Sequence, residues 1–202
     1  FLNYFASQKR EKSRAKIIAV TGSAGKTSLK NLIKDQLDSF GKTFCSPKSF
    51  NNYLGVPLSL SELNIDHQFA VFEVGMSKAG EIHSLSKLIK PHIGIITNIG
   101  EAHIENFKNL NGIAKAKGEI INNIQKNGTL ILNRDDNYFN YLKKRAKLKN
   151  LRVLSFGISK KSDVYPISFK QNNKEKKLTL KVCDQIIKIR IKNLNIYNIL
   201  AT

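Results

Sequence analysis

Seven consecutive residues, Thr21-Gly22-Ser23-Ala24-Gly25-Lys26-Thr27, carry the sharpest chemical signal in the chain. Closely spaced glycines let a backbone wrap an anion, and successive N–H groups of such a turn point inward. A helix starting directly after the turn adds its dipole and its unpaired N–H groups. In that pattern Lys26 reaches the β- and γ-phosphates of a nucleoside triphosphate and the Thr27 hydroxyl holds Mg²⁺. Gly22, Ser23, Ala24, Gly25, Lys26, Thr27 and Ser28 are therefore the expected residues of an ATP or GTP site. Val20 stands where the longer GxxxxGK[ST] pattern has its first glycine, so the loop is the shorter GxxGKT form.

A nucleotide enzyme also needs an acid near the metal. Phe69-Ala70-Val71-Phe72-Glu73 puts a carboxylate at the end of an apolar run, with Gly75 just beyond. Taken alone, Glu73 reads equally as a helix cap or a lysine partner. Thr97-Asn98-Ile99-Gly100-Glu101-Ala102-His103 is a second polar, glycine-containing stretch directly after an apolar run. Ligands of open α/β sheets gather outside the carboxyl ends of strands. Gly22, Glu73 and Asn98 mark three such ends.

The elements that must position these residues follow from periodicity. Ile17 to Val20 reads as a buried strand, and Leu29, Leu32, Ile33 and Leu37 fall at helical spacing before a stop at Gly41. The alternation continues with strands over 69–72, 93–97, 129–132 and 153–156. Helices are expected over 81–89, 110–124 and 138–148. This rhythm predicts an α/β domain with a mostly parallel sheet and helices on both faces, of the P-loop nucleotide-binding kind. After about residue 160, runs at 164–169, 178–182 and 186–191 lack intervening helices and read as an antiparallel addition. Asn195 to Thr202 reads as the start of a further helix. Residues 1–16 read as a linker or a short lead-in helix, and 17–202 as the domain itself.

The chain has 202 residues, 34 basic and 15 acidic, for a formal charge of +19. Such a balance first suggests a nucleic-acid partner. Of the basic residues 28 are Lys and only 6 Arg, beside 21 Asn and 24 Ile, a skew that A- and T-rich codons produce without any binding role. Residues 1–140 carry 18 basic and 12 acidic groups, whereas 141–202 carry 16 and 3, so most of the excess lies outside the motifs. No apolar run reaches the roughly 18 residues that would span a bilayer. Two cysteines, Cys45 and Cys183, make neither a disulfide framework nor a four-cysteine zinc site, and a reducing, cytoplasmic setting is expected.

Five stretches together resemble the Mur ligase family. They are 21–27, Ser49-Phe50-Asn51-Asn52-Tyr53-Leu54-Gly55-Val56-Pro57, Phe72-Glu73-Val74-Gly75-Met76, 97–103, and Ala114-Lys115-Ala116-Lys117-Gly118-Glu119-Ile120. Within that family the pattern is most similar to the type that joins D-alanyl-D-alanine to UDP-N-acetylmuramoyl-tripeptide. The resemblance implies ATP-dependent amide formation through an acyl-phosphate, in peptidoglycan precursor synthesis. It implies that Lys26, Glu73, His103 and Lys117 serve catalysis, with Thr27 and Glu73 on one Mg²⁺ and His103 on a second. Lys117 aligns with a lysine that CO₂ converts to a carbamate able to help hold metal. Asn51 and Asn52 would approach the substrate or the γ-phosphate, although beside Gly55 they could equally shape a turn. Asn195 and Asn198 would contact the nucleotide base, with Leu194 standing where the family has His.

Members of the family have three domains, so this chain is expected to be the central one of a longer protein, monomeric, binding nucleotide weakly and making no product by itself. Its partners would be the UDP-linked peptide and D-Ala-D-Ala, with no nucleic acid and no membrane. Other Mur-type ligases and folylpolyglutamate synthase share the loop and remain alternatives. A basic P-loop ATPase that binds nucleic acid is the rival from another class; it would want arginines or aromatics interleaved on one face.

Overall fold

The computed structural model describes residues 1–102, 104–171 and 176–191. Six parallel strands form the body of the sheet: β1 (Lys16–Thr21), β2 (Thr43–Cys45), β3 (Phe69–Glu73), β4 (Ile93–Ile96), β5 (Thr129–Asn133) and β6 (Arg152–Phe156). Then follow β7 (Val164–Gln171), β8 (Lys176–Val182) and β9 (Gln185–Ile191). The spatial order is β2-β3-β1-β4-β5-β6-β7-β8-β9. β7 meets β6 in parallel at one position, Phe156 against Val164, and β8 and β9 then pair antiparallel. The expected change of regime after residue 160 is therefore present in the sheet itself.

β1 is the centre. It pairs with β3 on one side (Ala19 opposite Phe72, Val20 opposite Glu73) and with β4 on the other (Thr21 opposite Ile96). Its residues alternate between two clusters, as a strand buried on both faces requires. Ile17 and Ala19 join the larger cluster; Ile18 and Val20 join the smaller. The smaller one is covered by α2 (Lys26–Leu37) through Leu29, Ile33 and Leu37. The larger is covered by α3 (Gly55–Ser61), α4 (Glu81–Ile89), α5 (Leu110–Lys117) and α6 (Phe139–Leu148). Helices thus lie on both faces, but unequally.

Several elements differ from the sequence-based expectation. The run 110–124 is two pieces, α5 and a 3₁₀ segment over Gly118–Asn123. At Gly118 an added Cβ would lie 2.6 Å from the mobile end of Arg145 and 3.1 Å from Leu142 Cδ2, so the side chains of α6 pack directly over this joint. β2 and α3 were not legible: β2 has only three residues, and Gly55 and Pro57 inside α3 suggest a turn. The N-terminal segment is a helix, α1 (Leu2–Lys12), with Ala6 and Arg10 buried. Arg10 donates from Nε to the Ile89 carbonyl (2.6 Å) and from Nη2 to the Lys90 carbonyl (2.8 Å), capping the C-terminus of α4. The helix expected over 195–202 lies outside the described residues.

Candidate nucleotide and metal site

The chain leaves β1 at Thr21 and turns onto α2 through four residues. Gly22 has φ +147°, and a Cβ there would fall 1.9 Å from the Thr97 hydroxyl, so only glycine lets the loop lie against the end of β4. Gly25 (φ +81°) precedes α2 in the left-handed region. No side chain caps α2. The N–H groups of its first turn precede any i−4 partner and are offered to an external anion.

The β4 end is stitched onto this loop. Asn98 Oδ1 accepts from the Ser23 N–H (3.1 Å) and the Ala24 N–H (2.9 Å). Thr97 Oγ1 donates to the Ala24 carbonyl at 2.6 Å, and Ser23 Oγ and Gly100 exchange hydrogen bonds of 2.9 and 2.8 Å. Asp136, just after β5, accepts from the Ile99 N–H at 2.7 Å and the Tyr138 N–H at 2.8 Å, fixing the 97–100 stretch from behind. Neighbouring strands β1 and β4 send their chains to α2 and α5, on opposite faces, which opens a crevice at this end of the sheet.

Lys26 folds back over the cradle, with Nζ 2.9 Å from the Gly22 carbonyl and 3.5 Å from that of Ser23. Burial lowers its pKa, and the Glu73 carboxylate opposes that shift. Glu73, the last residue of β3 and 1% exposed, accepts from Thr27 Oγ1 at 2.7 Å and from Asn51 Nδ2 at 2.7 Å, one on each oxygen. A buried carboxylate without an adjacent ion pair is tolerated because both oxygens are hydrogen-bonded. Hydroxyl and carboxylate oxygens side by side beneath a phosphate cradle are hard donors suited to Mg²⁺, which fills its remaining positions with phosphate oxygens and water. Among the described residues no three His, Cys, Asp or Glu side chains cluster as a metal site.

Lys117 ends α5 and is 3% exposed, while Lys115, two residues earlier, faces solvent. Burial, and secondarily the charge of Lys26, brings the Lys117 amine down to about 7. Asn52 lies in the same loop as Asn51 but does different work: its Oδ1 accepts from the Leu54 and Gly55 N–H groups (3.2 and 2.9 Å) at the start of α3. Ser23 is engaged with Gly100, whereas Ala24 and Ser28 are exposed. His103, Asn195 and Asn198 lie outside the described residues, as does Leu194.

Sequence reasoning gave several residues that hold the site no role of their own. Thr97, quoted only as part of its stretch, and Asp136 are two. Another is Glu119, which accepts from the Gly80 N–H (2.8 Å) and the His83 N–H (3.0 Å) and so ties the segment after Lys117 to the start of α4. Asp136 comes three residues after β5, in an Asp-Asp pair that was a signal to be read; nothing in the pattern marks Glu119 as a cap for a distant helix. A cavity of about 630 Å³ opens beside Asn52 and Gly75, walled by residues 75–81 and α4.

A phosphate-binding loop on the central strand, with a carboxylate on the adjacent strand end, defines a P-loop nucleotide-binding α/β domain. Residues 20–202 match the Mur ligase middle domain, and the chain belongs to the Mur ligase family. It is 42% identical over 193 residues to the UDP-N-acetylmuramoyl-tripeptide--D-alanyl-D-alanine ligase of Rickettsia prowazekii, covering 94% of this chain and 42% of that protein. Crystal structure I of MurF from Acinetobacter baumannii superposes with a TM-score of 0.91 at 31% identity, over 99% of this chain and 44% of that one. MurF from Thermotoga maritima, solved in complex with ADP, superposes with a TM-score of 0.86 at 25% identity, over 99% and 47%. The chain therefore spans less than half the length of these relatives.

Proposed function

We propose that this chain is the ATP-binding central domain of a ligase that joins D-alanyl-D-alanine to UDP-N-acetylmuramoyl-tripeptide in peptidoglycan precursor synthesis. The observation that carries the reading is the trio Thr27–Glu73–Asn51, set directly beneath the Lys26 cradle at adjoining strand ends. The similarity to ligases of that name supports the choice of substrates.

In this reading a carboxylate oxygen of the UDP-linked peptide attacks the γ-phosphorus of ATP, and the bond to the β-bridging oxygen breaks to release ADP. The amine of D-Ala-D-Ala then attacks the acyl carbon, phosphate leaves, and the amine loses a proton. Both steps gather negative charge on oxygens near the γ-phosphate, so the catalyst's task is fixed positive charge and aligned N–H donors. Lys26 turns from the Gly22 carbonyl to the β- and γ-phosphates, and the first-turn N–H groups of α2 receive phosphate oxygens. Thr27 and Glu73 would hold one Mg²⁺, with His103 and a carbamylated Lys117 at a second. Bound there, the ions would screen the charge on the reacting oxygens. The neutral Lys117 amine can attack CO₂ and shed a proton, and its low pKa makes that form abundant near pH 7. The cavity beside Asn52 and Gly75 would receive the peptide end of the acceptor. Asn195 and Asn198 would contact the base. We also read the protein as monomeric and cytoplasmic; among the described residues no helix is long and apolar enough to cross a membrane.

The test is phosphate release by the full-length protein with ATP and UDP-MurNAc-tripeptide, with and without D-Ala-D-Ala. Release that rises with the dipeptide is expected; release indifferent to it would refute the substrate assignment.

A further inference from the structure

Besides the residues already assigned, α2 carries a second lysine that faces inward. Lys30 lies one helical turn after Lys26 and is 1% exposed. Leu29 and Lys30 are the two fully buried residues of this helix. An aliphatic side chain would satisfy such a position, and a buried ammonium is unfavourable unless its protons are received. Here Lys30 Nζ donates to the Ser46 carbonyl at 2.7 Å and to the Lys48 carbonyl at 2.5 Å. Lys48 presents its carbonyl from the left-handed region (φ 42°), which L-residues rarely adopt.

The stretch that Lys30 grips is the one that holds Glu73. Ser46 donates its N–H to the Val71 carbonyl (3.0 Å), and its hydroxyl accepts the Glu73 N–H (3.2 Å). Five residues on, Asn51 donates to Glu73 Oε1, and its carbonyl accepts the Gly75 N–H at 2.8 Å. A Cβ on Gly75 would come within 2.8 Å of the Asn51 amide carbon, so this contact is close along its whole length. Glu73 is thus held by its backbone at Ser46 and by its side chain at Asn51.

We propose that Lys30 is a positioning residue whose buried ammonium fixes the 46–51 loop, so that Asn51 holds one Glu73 oxygen and leaves the other on Thr27. The inference rests on the reading of Thr27 and Glu73 as Mg²⁺ ligands. It explains why a cation, rather than an aliphatic side chain, occupies an inward position of the helix that follows the phosphate loop. Lys30 acts on the metal through Asn51 and touches neither nucleotide nor substrate.

The test uses the full-length protein with both substrates, comparing wild type, Lys30→Met, Asn51→Ala and the double variant. The Mg²⁺ concentration giving half-maximal ATP turnover should rise about 10-fold or more in Lys30→Met, as for other residues that orient a metal ligand. ADP affinity measured without Mg²⁺ should stay within about 2-fold, because the cradle itself is untouched. In the Asn51→Ala background the same substitution should add no more than about 2-fold, since contacts in one chain of hydrogen bonds are not additive. Independent, multiplying effects, or an equal loss of Mg²⁺-free ADP affinity, would overturn the proposal and leave Lys30 a packing residue. If Lys30→Met does not fold, Ser46→Ala, which removes only the hydroxyl on the Glu73 N–H, must raise the Mg²⁺ requirement; an unchanged requirement overturns the proposal. A wild type without Mg²⁺-dependent turnover would instead refute the metal-site reading itself.

Discussion

Replacing Lys117 by Met should make the protein more stable at neutral pH and nearly abolish one part of its pH dependence. The amine is 3% exposed, and its pKa falls from 10.5 to about 7, through burial first and the Lys26 charge second. The unfolded chain binds this proton up to about 10.5, whereas the folded chain releases it near 7. Below pH 7 the folded protein carries a charge it disfavours, and the penalty is complete. Between 7 and 10.5 the unfolded state holds more protons, so stability rises with pH; above 10.5 the penalty is gone. At 1.36 kcal/mol per pH unit the full penalty is at most about 5 kcal/mol, and the steepest slope is about 1.4 kcal/mol per pH unit. Met keeps most of the volume and removes the charge. Urea denaturation in CO₂-free buffer, read by circular dichroism, should show Lys117→Met ahead by about 2–5 kcal/mol at pH 6.5, with the gap closing towards pH 10. Lys26→Met should narrow the pH range of that rise and lower its total, because it removes the second cause of the shift. Parallel curves for wild type and Lys117→Met across that range would refute the assignment of a neutral, buried amine.

Gly22→Ala should abolish ADP binding measured by calorimetry and cost about 2–4 kcal/mol of stability, from a strained φ, a clash with Thr97 and a lost loop contact. Arg10→Met should destabilise by about 1–3 kcal/mol in the same denaturation assay, because losing the buried charged donor strips the Ile89 carbonyl of its Arg10 bond and leaves the Lys90 carbonyl with Gln125 Nε2 (2.9 Å); no change would make α1 a mere attachment. Ser162→Ala should be neutral or stabilise by up to about 1 kcal/mol, since the hydroxyl it removes is buried without a partner. Labelled bicarbonate should give a carbamate ¹³C resonance at pH 8 that Lys117→Met eliminates; an unchanged resonance would place the carbamate elsewhere.

Where local chemistry repeats in the sequence, the fold was readable from it. Glycines 22 and 25 beside Lys26 announce a cradle because only that backbone conformation and that cation serve a phosphate. β1 to β6 announce themselves by apolar runs between helical spacings, apart from three-residue β2. What escaped depends on partners distant in the chain. Arg10 is one of 34 basic residues until the carbonyls ending α4 arrive beside it. Glu119 looks like an ordinary helical carboxylate, yet it accepts from Gly80, at the entry to a helix, 39 positions earlier. The joint at Gly118 sits under Leu142 and Arg145 of α6, a contact that no local propensity encodes. Within the phosphate and acid segments the residues were legible; the framework that aims them was not.

The antiparallel end of the sheet carries a consequence for how the protein behaves in a crowd. Among the described strands β9 is an edge, paired only with β8, and Ile186 and Ile187 on it are exposed. An open strand edge with apolar side chains is a template on which a second chain can add. Lys188 and Arg190 lie along this edge, and residues 141–202 hold 16 basic groups against 3 acidic. Two such edges meeting would bring like charges face to face. Positive charge along the described edge would oppose such pairing, and salt would weaken that opposition. At 1 M salt, where charges are screened beyond about 3 Å, self-association through this edge is expected to rise, which light scattering across a salt series would read.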